Sequence, residues 1–182
     1  VGAILVSTFK PIISFAPDFS FIGAEQQLGY YEENVAEPVE LRIPRVGIET
    51  SFVGPLGLNE DETVAVPESY EEVGWYKYGP KPGELGPAVV LGHVDSFTGP
   101  AVFFNLKELQ KGDEILIERK DGSTAKFLVT KLQQNPQSDF PTEAVYGNIN
   151  HAGLRLITCS GTYDHNNLVY SHNLIVFAEL VE

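Results

Sequence analysis

Sulfur is scarce in this 182-residue sequence, which has one cysteine and no methionine. A single cysteine excludes an intrachain disulfide, so the sequence does not indicate whether the compartment is reducing or oxidising. Because methionine is absent, we expect that Val1 is not the natural start and that a signal or membrane anchor once preceded it. The apolar run at residues 2–6 is too short to cross a bilayer, because Lys10 and Pro11 follow it. It is either the tail of a removed membrane segment or a short packed arm.

Basic residues are also few: 12 Lys and Arg stand against 25 Asp and Glu, giving a formal net charge of −13. Binding to nucleic acid requires a surplus of Lys and Arg on one face, so no nucleic-acid partner is expected. The same charge argues against peripheral binding to an anionic membrane. The sequence has neither a Gly-x-Gly-x-x-Gly nor a Walker pattern, and we expect no cofactor.

Metal sites are not expected either. The candidate zinc ligands lack the tight spacings of structural zinc sites; they are Cys159, His93, His151, His165 and His172. Asp95 and Asp113 are not part of an EF-hand-like loop, so we interpret Asp95 as a side chain that stabilises a turn.

What the sequence does have is many short apolar runs separated by Gly and Pro, which predicts a mainly β domain, either a sandwich or a barrel. Residues 1–37 are predicted to be an N-terminal extension, and residues 38–182 the β domain. The extension is interpreted either as an arm or lid over the core or as a linker to a membrane anchor. Apolar spacing of three and four predicts a short helix over residues 101–109, and residues 133–149 are predicted to be a long loop.

Two apolar stretches carry the candidate chemistry. Residues 154–161, Leu-Arg-Leu-Ile-Thr-Cys-Ser-Gly, predict a strand that delivers Cys159 to a loop, and residues 88–93, Ala-Val-Val-Leu-Gly-His, predict a strand that ends at His93. A thiol nucleophile needs an imidazole within hydrogen-bond reach of the sulfur or of the leaving group. Gly92 before the histidine suggests close backbone approach there. The sequence therefore favours a Cys159/His93 pair, although either residue alone would be read as structural.

These stretches resemble those of the sortases, most closely the class F sortases. The resemblance rests on Leu-Gly-His-Val-Asp-Ser, the following Gly-Pro-Ala-Val-Phe-Phe-Asn-Leu, and Leu-Ile-Thr-Cys-Ser-Gly with a closing apolar strand. It extends from about Leu41 to the C-terminus and includes Val-Gly-Trp-Tyr at residues 73–76. Residues 1–37 lie outside it.

The resemblance implies a closed eight-stranded β-barrel with one or two short helices. It also implies a membrane-anchored cysteine transpeptidase on the outer surface of a Gram-positive bacterium. Such an enzyme cleaves a Leu-Pro-x-Thr-Gly-like sorting signal of a secreted protein and transfers the acyl group, through a thioester, to an amine of a cell-wall precursor. Carried over by motif, Cys159 is the nucleophile, His93 the acid and base, and Thr158 a neighbouring substrate-binding residue.

One departure concerns the arginine that sortases place on the strand after the cysteine loop. Alignment of the last apolar run puts Asn173 at this position, and Ser171, two residues earlier, supplies no guanidinium either. Asn can donate to an oxyanion but carries no charge. Arg155 lies four residues before Cys159 and should face the same way on a strand, so it is a candidate substitute. A surface charge is the alternative interpretation of Arg155.

Two other functions stay open at this point. A non-catalytic barrel could retain the sortase scaffold and bind a wall peptide or a partner protein without cleaving it. An L,D-transpeptidase is disfavoured, because its usual Ser-x-Gly-Cys arrangement is absent.

Overall fold

The structure is a computed structural model that describes residues 31–181. Ten strands and one α-helix make up most of it. The strands are β1 Pro38–Ile43, β2 Ile48–Leu56, β3 Val73–Tyr76, β4 Gly86–Leu91, β5 Asp95–Ser96, β6 Gly99–Pro100, β7 Glu114–Arg119, β8 Thr124–Pro136, β9 Ala152–Asp164 and β10 Val169–Leu180, and the helix is α1 Thr142–Tyr146. Short 3-10 turns lie at Pro44–Val46, Leu106–Glu108 and Gln137–Asp139. None of the helices within the described part of the chain is long enough to cross a membrane.

Eight of these strands close into a barrel in the order β1-β2-β3-β4-β9-β10-β8-β7. The pairs β2–β3 and β4–β9 are parallel and the remaining pairs are antiparallel. The small β5–β6 hairpin stands apart from the barrel and immediately follows the β4 connection. The prediction of a closed eight-stranded β-barrel with very few short helices is confirmed.

Alternate residues of the strands fill the barrel interior. Side chains of a strand point in turn to its two faces, and one alternating set from every barrel strand forms a single buried cluster; its members include Leu41, Trp75, Val90, Ile117, Phe127, Leu156 and Val176. The large aliphatic and aromatic side chains in this cluster account for most of the apolar burial that stabilises the domain.

A second buried cluster lies on the outer face of the sheet formed by β4, β9 and β10. It uses the opposite alternating set of residues, including Leu91, Ile157, Cys159 and Ile175. Phe140 and Val145, from the segment between β8 and β9, cover this face. Cys159 is therefore on the outside of the barrel wall, beneath a covering segment.

Two local predictions were wrong. Residues 101–109 contain only the 3-10 turn Leu106–Glu108, because the backbone of this segment bonds to the β4 connection: Phe103 donates to the His93 carbonyl at 2.9 Å and Ala101 to the Val94 carbonyl at 3.1 Å. The strand with the cysteine does not end there, since β9 continues to Asp164 and pairs with β10 on both sides of an irregularity after Ser160.

The predicted N-terminal extension falls mostly outside the described residues. Its described part, residues 31–37, lies on the barrel: Val35 is buried and Glu32 donates its backbone N–H to the Gly83 carbonyl at 2.9 Å. Whether residues 1–30 form a lid or a linker stays a prediction, as does the boundary at residue 37.

Candidate active site

Cys159 lies within β9 and is 5% exposed. Its direct partner across the antiparallel pair is Asn173 on β10. Residues directly opposite each other on such a pair project from the same face, with Cβ atoms about 4.5–5.5 Å apart. The thiol and the Asn173 carboxamide are therefore neighbours on the outer face of the barrel.

Asn173 is completely buried, and neither Nδ2 nor Oδ1 has a hydrogen-bond partner among the described residues. An unpaired buried amide is costly, about 1–3 kcal/mol for the group. The structure thus holds a polar group beside the thiol with its donor and acceptor both unused.

His93 follows β4, the parallel neighbour of β9. Leu91 pairs with Ile157, and Gly92 continues the ladder by donating to the Ile157 carbonyl at 3.3 Å. His93 and Cys159 each lie two residues beyond this pair, so side-chain alternation directs both to the outer face. The connection after β4 is joined to β10, because Asp95, two residues after His93, accepts a hydrogen bond from the Tyr170 hydroxyl.

The imidazole of His93 is held by two contacts. Its Nε2 lies 2.8 Å from the Pro67 carbonyl oxygen, and its ring lies 4.7 Å from that of Tyr70 between centroids. Because a carbonyl only accepts, Nε2 carries a hydrogen. The other ring nitrogen, Nδ1, has no protein partner among residues 31–181 and is the nitrogen that can exchange a proton.

Gly92 is required for this arrangement. A Cβ added at Gly92 would come within 2.8 Å of the Phe103 ring and 2.9 Å of the Val102 side chain. The close approach suggested by the Gly-His dipeptide is therefore present, and it is an approach of the Phe103 and Val102 side chains from the segment after β6.

The environment of Cys159 favours the neutral thiol. Burial raises its pKa to about 12, and the negative charge of Asp95 adds to the effect. Gln137 donates through Nε2 to Sγ at 3.9 Å. Thiolate is the nucleophilic form of cysteine, so the thiol at rest is poorly reactive and must lose its proton when it attacks.

Three residues at this site escaped the sequence interpretation. Asp95, interpreted as a turn residue, instead accepts a hydrogen bond through Oδ2 from the Tyr170 hydroxyl. This bond joins β5 to β10 between residues that are 75 positions apart. Burial raises the pKa of Tyr170 most, and the hydrogen bond to Asp95 raises it further. Gln137 lies in a segment predicted only as a loop. The Asp in His-Val-Asp was a visible signal, but nothing in the sequence links it to Tyr170.

The other predicted site residues are not brought to the thiol. Thr158 points to the barrel interior, on the face opposite Cys159, and is fully buried. Ser171 lies in an irregularity of the β9–β10 ladder, where its Oγ accepts from the Thr162 backbone at 2.9 Å and lies 2.7 Å from His172 Nδ1.

Arg155 shares the outer face with Cys159, but it lies four positions earlier on β9, about 13 Å away at the usual rise. Its guanidinium lies 4.6 Å over the Phe177 ring and donates to the Leu154 carbonyl at 3.1 Å and the Ala144 carbonyl at 3.4 Å. Burial lowers the pKa of Arg155 to about 10. These contacts hold the guanidinium beneath the segment that contains α1.

The described part of the chain brings together no group of three or more His, Cys, Asp or Glu side chains that could hold a metal ion. The groups on these neighbouring strands are a thiol, the Asn173 carboxamide and an imidazole whose Nδ1 has no partner among residues 31–181. These are the kinds of group that acyl transfer through sulfur uses.

Solved structures of several sortases are similar to this fold. Sortase D5 from Clostridium perfringens superimposes with a TM-score of 0.58 at 21% identity, over 80% of this chain and 79% of that one. Sortase A from Corynebacterium diphtheriae, in a lid mutant, gives a TM-score of 0.61 at 21% identity, over 80% and 70% of the two chains. Sortase C-1 from Actinomyces oris gives 0.59 at 22% identity, over 80% and 76%.

At these identities the structural likeness establishes the fold, and the neighbours represent several sortase classes. No curated protein matches the sequence. The model of the sortase domain family, however, matches residues 41–181, which include both motifs and every barrel strand except the start of β1. The chain therefore belongs to the sortase domain family.

Proposed function

We propose that this protein is a sortase-type cysteine transpeptidase, most similar to class F, that acts on a Leu-Pro-x-Thr-Gly-like sorting signal. Membership of the sortase family supports the reaction class. The Leu-Gly-His-Val-Asp-Ser and Leu-Ile-Thr-Cys-Ser-Gly motifs support the choice of class.

The observation that carries the proposal is the pairing of Cys159 with Asn173. A fully buried carboxamide that has no hydrogen-bond partner among residues 31–181 lies directly across the sheet from Cys159. Such a group is costly at rest, but it becomes useful when negative charge develops on an acyl oxygen bound at the sulfur. We assign the role of oxyanion donor to Asn173 Nδ2.

In the first half of the reaction, the Cys159 proton passes to His93 Nδ1 as Sγ bonds to the carbonyl carbon of the Thr–Gly peptide. The carbonyl oxygen becomes an oxyanion that accepts from Asn173. When the C–N bond breaks, the His93 proton goes to the departing amine, which leaves a thioester on Cys159.

In the second half, the nitrogen of an acceptor amine attacks the thioester carbon and gives its proton to His93. The C–S bond then breaks, and the sulfur recovers the proton from His93. Water competes for the thioester, so the covering segment around Gln137 protects the intermediate as well as the resting thiol.

Of the two candidates for the missing arginine, the geometry favours Asn173 over Arg155. The Arg155 guanidinium is engaged with Phe177 and two carbonyls, which suits a role in packing α1 onto the sheet. Thr158, on the interior face, is assigned support of β9 rather than substrate contact, and Ser171 is assigned to the irregularity of the β9–β10 ladder, where it accepts from the Thr162 backbone.

We place the reaction at the bacterial cell surface, with a secreted protein's sorting signal and a cell-wall precursor amine as partners. An N-terminal membrane anchor ahead of this sequence completes that proposal.

A second candidate function is a non-catalytic barrel that binds a wall peptide or a partner protein. The observation in its favour is the buried thiol, whose pKa is raised to about 12. The two functions differ in what happens to the scissile bond of a bound sorting signal.

The test is incubation of the protein with a Leu-Pro-x-Thr-Gly peptide and an amine, with product analysis by mass spectrometry. A transpeptidase gives the amide between the threonine carbonyl and the amine, and releases the glycine fragment. His93→Ala and Cys159→Ala should each abolish this product. Binding of the intact peptide without cleavage by the native protein would establish the second function instead.

A further inference from the structure

A concave surface lies beside His93, separate from the thiol. It is a groove of about 700 Å³ formed by residues from three segments, 46–49, 69–71 and 96–105. Tyr70 lines the groove and also contacts His93, since the two ring centroids lie 4.7 Å apart. A ligand in this groove, which we call the Tyr70 groove, is therefore one aromatic ring away from the imidazole.

The lining of the Tyr70 groove combines aromatic rings with carboxylates. Tyr70, Phe97 and Phe104 supply the rings, and Phe97 is 80% exposed at 6.3 Å from Tyr70. Glu49 and Glu71 supply the carboxylates, and both are exposed.

No lysine or arginine of the described chain lines the groove. Lys107 packs 4.6 Å over the Phe104 ring but is not part of the lining. Aromatic faces and carboxylates together attract an alkylammonium group, through the ring quadrupole and through charge. The chemistry of the groove thus complements a cation with an aliphatic stem.

We propose that the Tyr70 groove binds the acceptor substrate, a peptide that carries a primary ammonium group on a flexible aliphatic chain. The inference rests on the proposed transpeptidase function and adds the place and the charge of the second substrate. The acyl group must occupy Cys159 when the acceptor arrives, and the acceptor must deliver its proton to His93. The acceptor therefore approaches from the side of His93, where the Tyr70 groove is.

The exposed carboxylates bind the acceptor in its ammonium form, and attack requires the free amine. The ammonium must therefore lose two protons in all: the first passes to solvent before the nitrogen moves past Tyr70 toward the thioester, and the second passes to His93 Nδ1 when the free amine attacks. Glu49 and Glu71 concentrate the acceptor and do not act as the base.

Equilibrium binding tests the inference without catalysis. The probe is a short blocked peptide with a single lysine, titrated into ¹⁵N-labelled Cys159→Ala protein and followed by two-dimensional NMR. We expect the shifts to concentrate at residues 69–71 and 96–105. The double variant Glu49→Gln, Glu71→Gln should bind about three- to tenfold more weakly at low salt, since each exposed charge contribution is small.

The matched control is Glu33→Gln, Glu60→Gln, which removes the same charge from exposed positions outside the groove. It should bind the peptide as the parent does. An equal loss in both double variants would show that overall charge, not the groove, attracts the peptide, and shifts confined to other surfaces would overturn the inference as well.

A second measurement links the groove to catalysis. The native enzyme is compared with the groove variant for acyl transfer to the lysine peptide and to hydroxylamine, a small neutral nucleophile. The ratio of lysine transfer to hydroxylamine transfer should fall about three- to tenfold in the groove variant. An unchanged ratio would contradict the inference.

The two proposals fail separately. Failure to form any thioester would refute the proposed function, whereas the NMR titration would still decide whether the groove binds the ammonium peptide. Normal thioester chemistry with no binding in the Tyr70 groove would refute only this inference.

Discussion

The thiol of Cys159 is surrounded by groups that keep it protonated. Burial is the larger effect, and the charge of Asp95 opposes ionisation further. With a pKa of about 12, the thiolate fraction at neutral pH is on the order of 1 in 100,000. Nucleophilic attack therefore needs a base at the moment of reaction, the role that the proposed function assigns to His93.

This environment predicts an unusual pH dependence of alkylation at Cys159. The rate with iodoacetamide should rise about tenfold per pH unit from pH 7 to 10 without reaching a plateau, because the pKa is raised above this range. Asp95→Asn removes a negative charge, so it should lower the pKa and speed alkylation at every pH in the range. Intact-protein mass spectrometry follows the reaction, and a plateau near pH 8.5 would contradict the account.

Asn173 provides a prediction in which stability and activity change in opposite directions. Asn173→Leu replaces an unpaired buried amide with an apolar side chain, so the free energy of unfolding should rise by about 1–2 kcal/mol. Thioester formation should fall about 100-fold, as expected for loss of an oxyanion donor. Urea denaturation and peptide cleavage measure the two effects. Lower stability together with unchanged cleavage would show that Asn173 is structural.

His93, Cys159 and Asn173 could be named as candidates from the sequence, because each lies on or next to a strongly apolar strand, and the structure places Cys159 directly opposite Asn173. Gln137 and the Asp95–Tyr170 pair could not be selected, since their contacts join residues far apart in the chain. Parity along β9 correctly placed Arg155 on the face of Cys159, but it could not show that Phe177 and Leu154 hold the guanidinium elsewhere.

At the scale of elements, the β9–β10 pair determines how Cys159 meets Asn173. The ladder is irregular between Tyr170 and His172, and Gly161 adopts φ of 80° there. A Cβ at Gly161 would lie 2.4 Å from Ser171 Oγ and 2.7 Å from His172 Nδ1. The irregularity begins two residues after the thiol, so its geometry helps fix the register of the site.

Gly161→Ala should therefore destabilise the domain by about 2–3 kcal/mol, through backbone strain plus steric contact. Gly122→Ala is the matched control: Gly122 has φ of 81° but nothing within 4 Å of an added Cβ, so strain acts there alone. Its cost should be about 1 kcal/mol. If the two variants lose the same free energy of unfolding in thermal or urea denaturation, the Ser171 and His172 side chains move aside at little cost.

Strands were predicted better than helices, for a physical reason. The apolar spacing in residues 101–109 fits a helix. In the structure, however, the Phe103 side chain packs in the barrel interior against Gly92, and the Phe103 backbone N–H donates to the His93 carbonyl. Tertiary contacts thus override the local pattern. The ends of β8, β9 and β10 extend beyond their apolar stretches because pairing between them continues among polar residues.

At the scale of the whole molecule, two ion pairs connect residues 31–37 to the barrel. Arg119, 4% exposed, donates to Glu32 at 2.5 Å, whereas the neighbouring pair Lys120–Glu37 is exposed on both sides. Glu32→Ala leaves a buried guanidinium without its carboxylate and should lower the free energy of unfolding by about 1–3 kcal/mol. Glu37→Ala, the control, should cause no measurable change in urea denaturation. If Glu32→Ala and Glu37→Ala change the free energy of unfolding equally, burial of Arg119 does not strengthen the Arg119–Glu32 ion pair.

The central claim is that Cys159 forms a thioester with the help of His93. The most direct measurement is the intact mass of the protein after mixing with a Leu-Pro-x-Thr-Gly peptide in the absence of an acceptor amine. The account predicts an added mass equal to the acyl fragment that ends at threonine, absent in Cys159→Ala and strongly reduced in His93→Ala. An adduct that persists in Cys159→Ala, or a native protein that binds the peptide and never gains this mass, would contradict it.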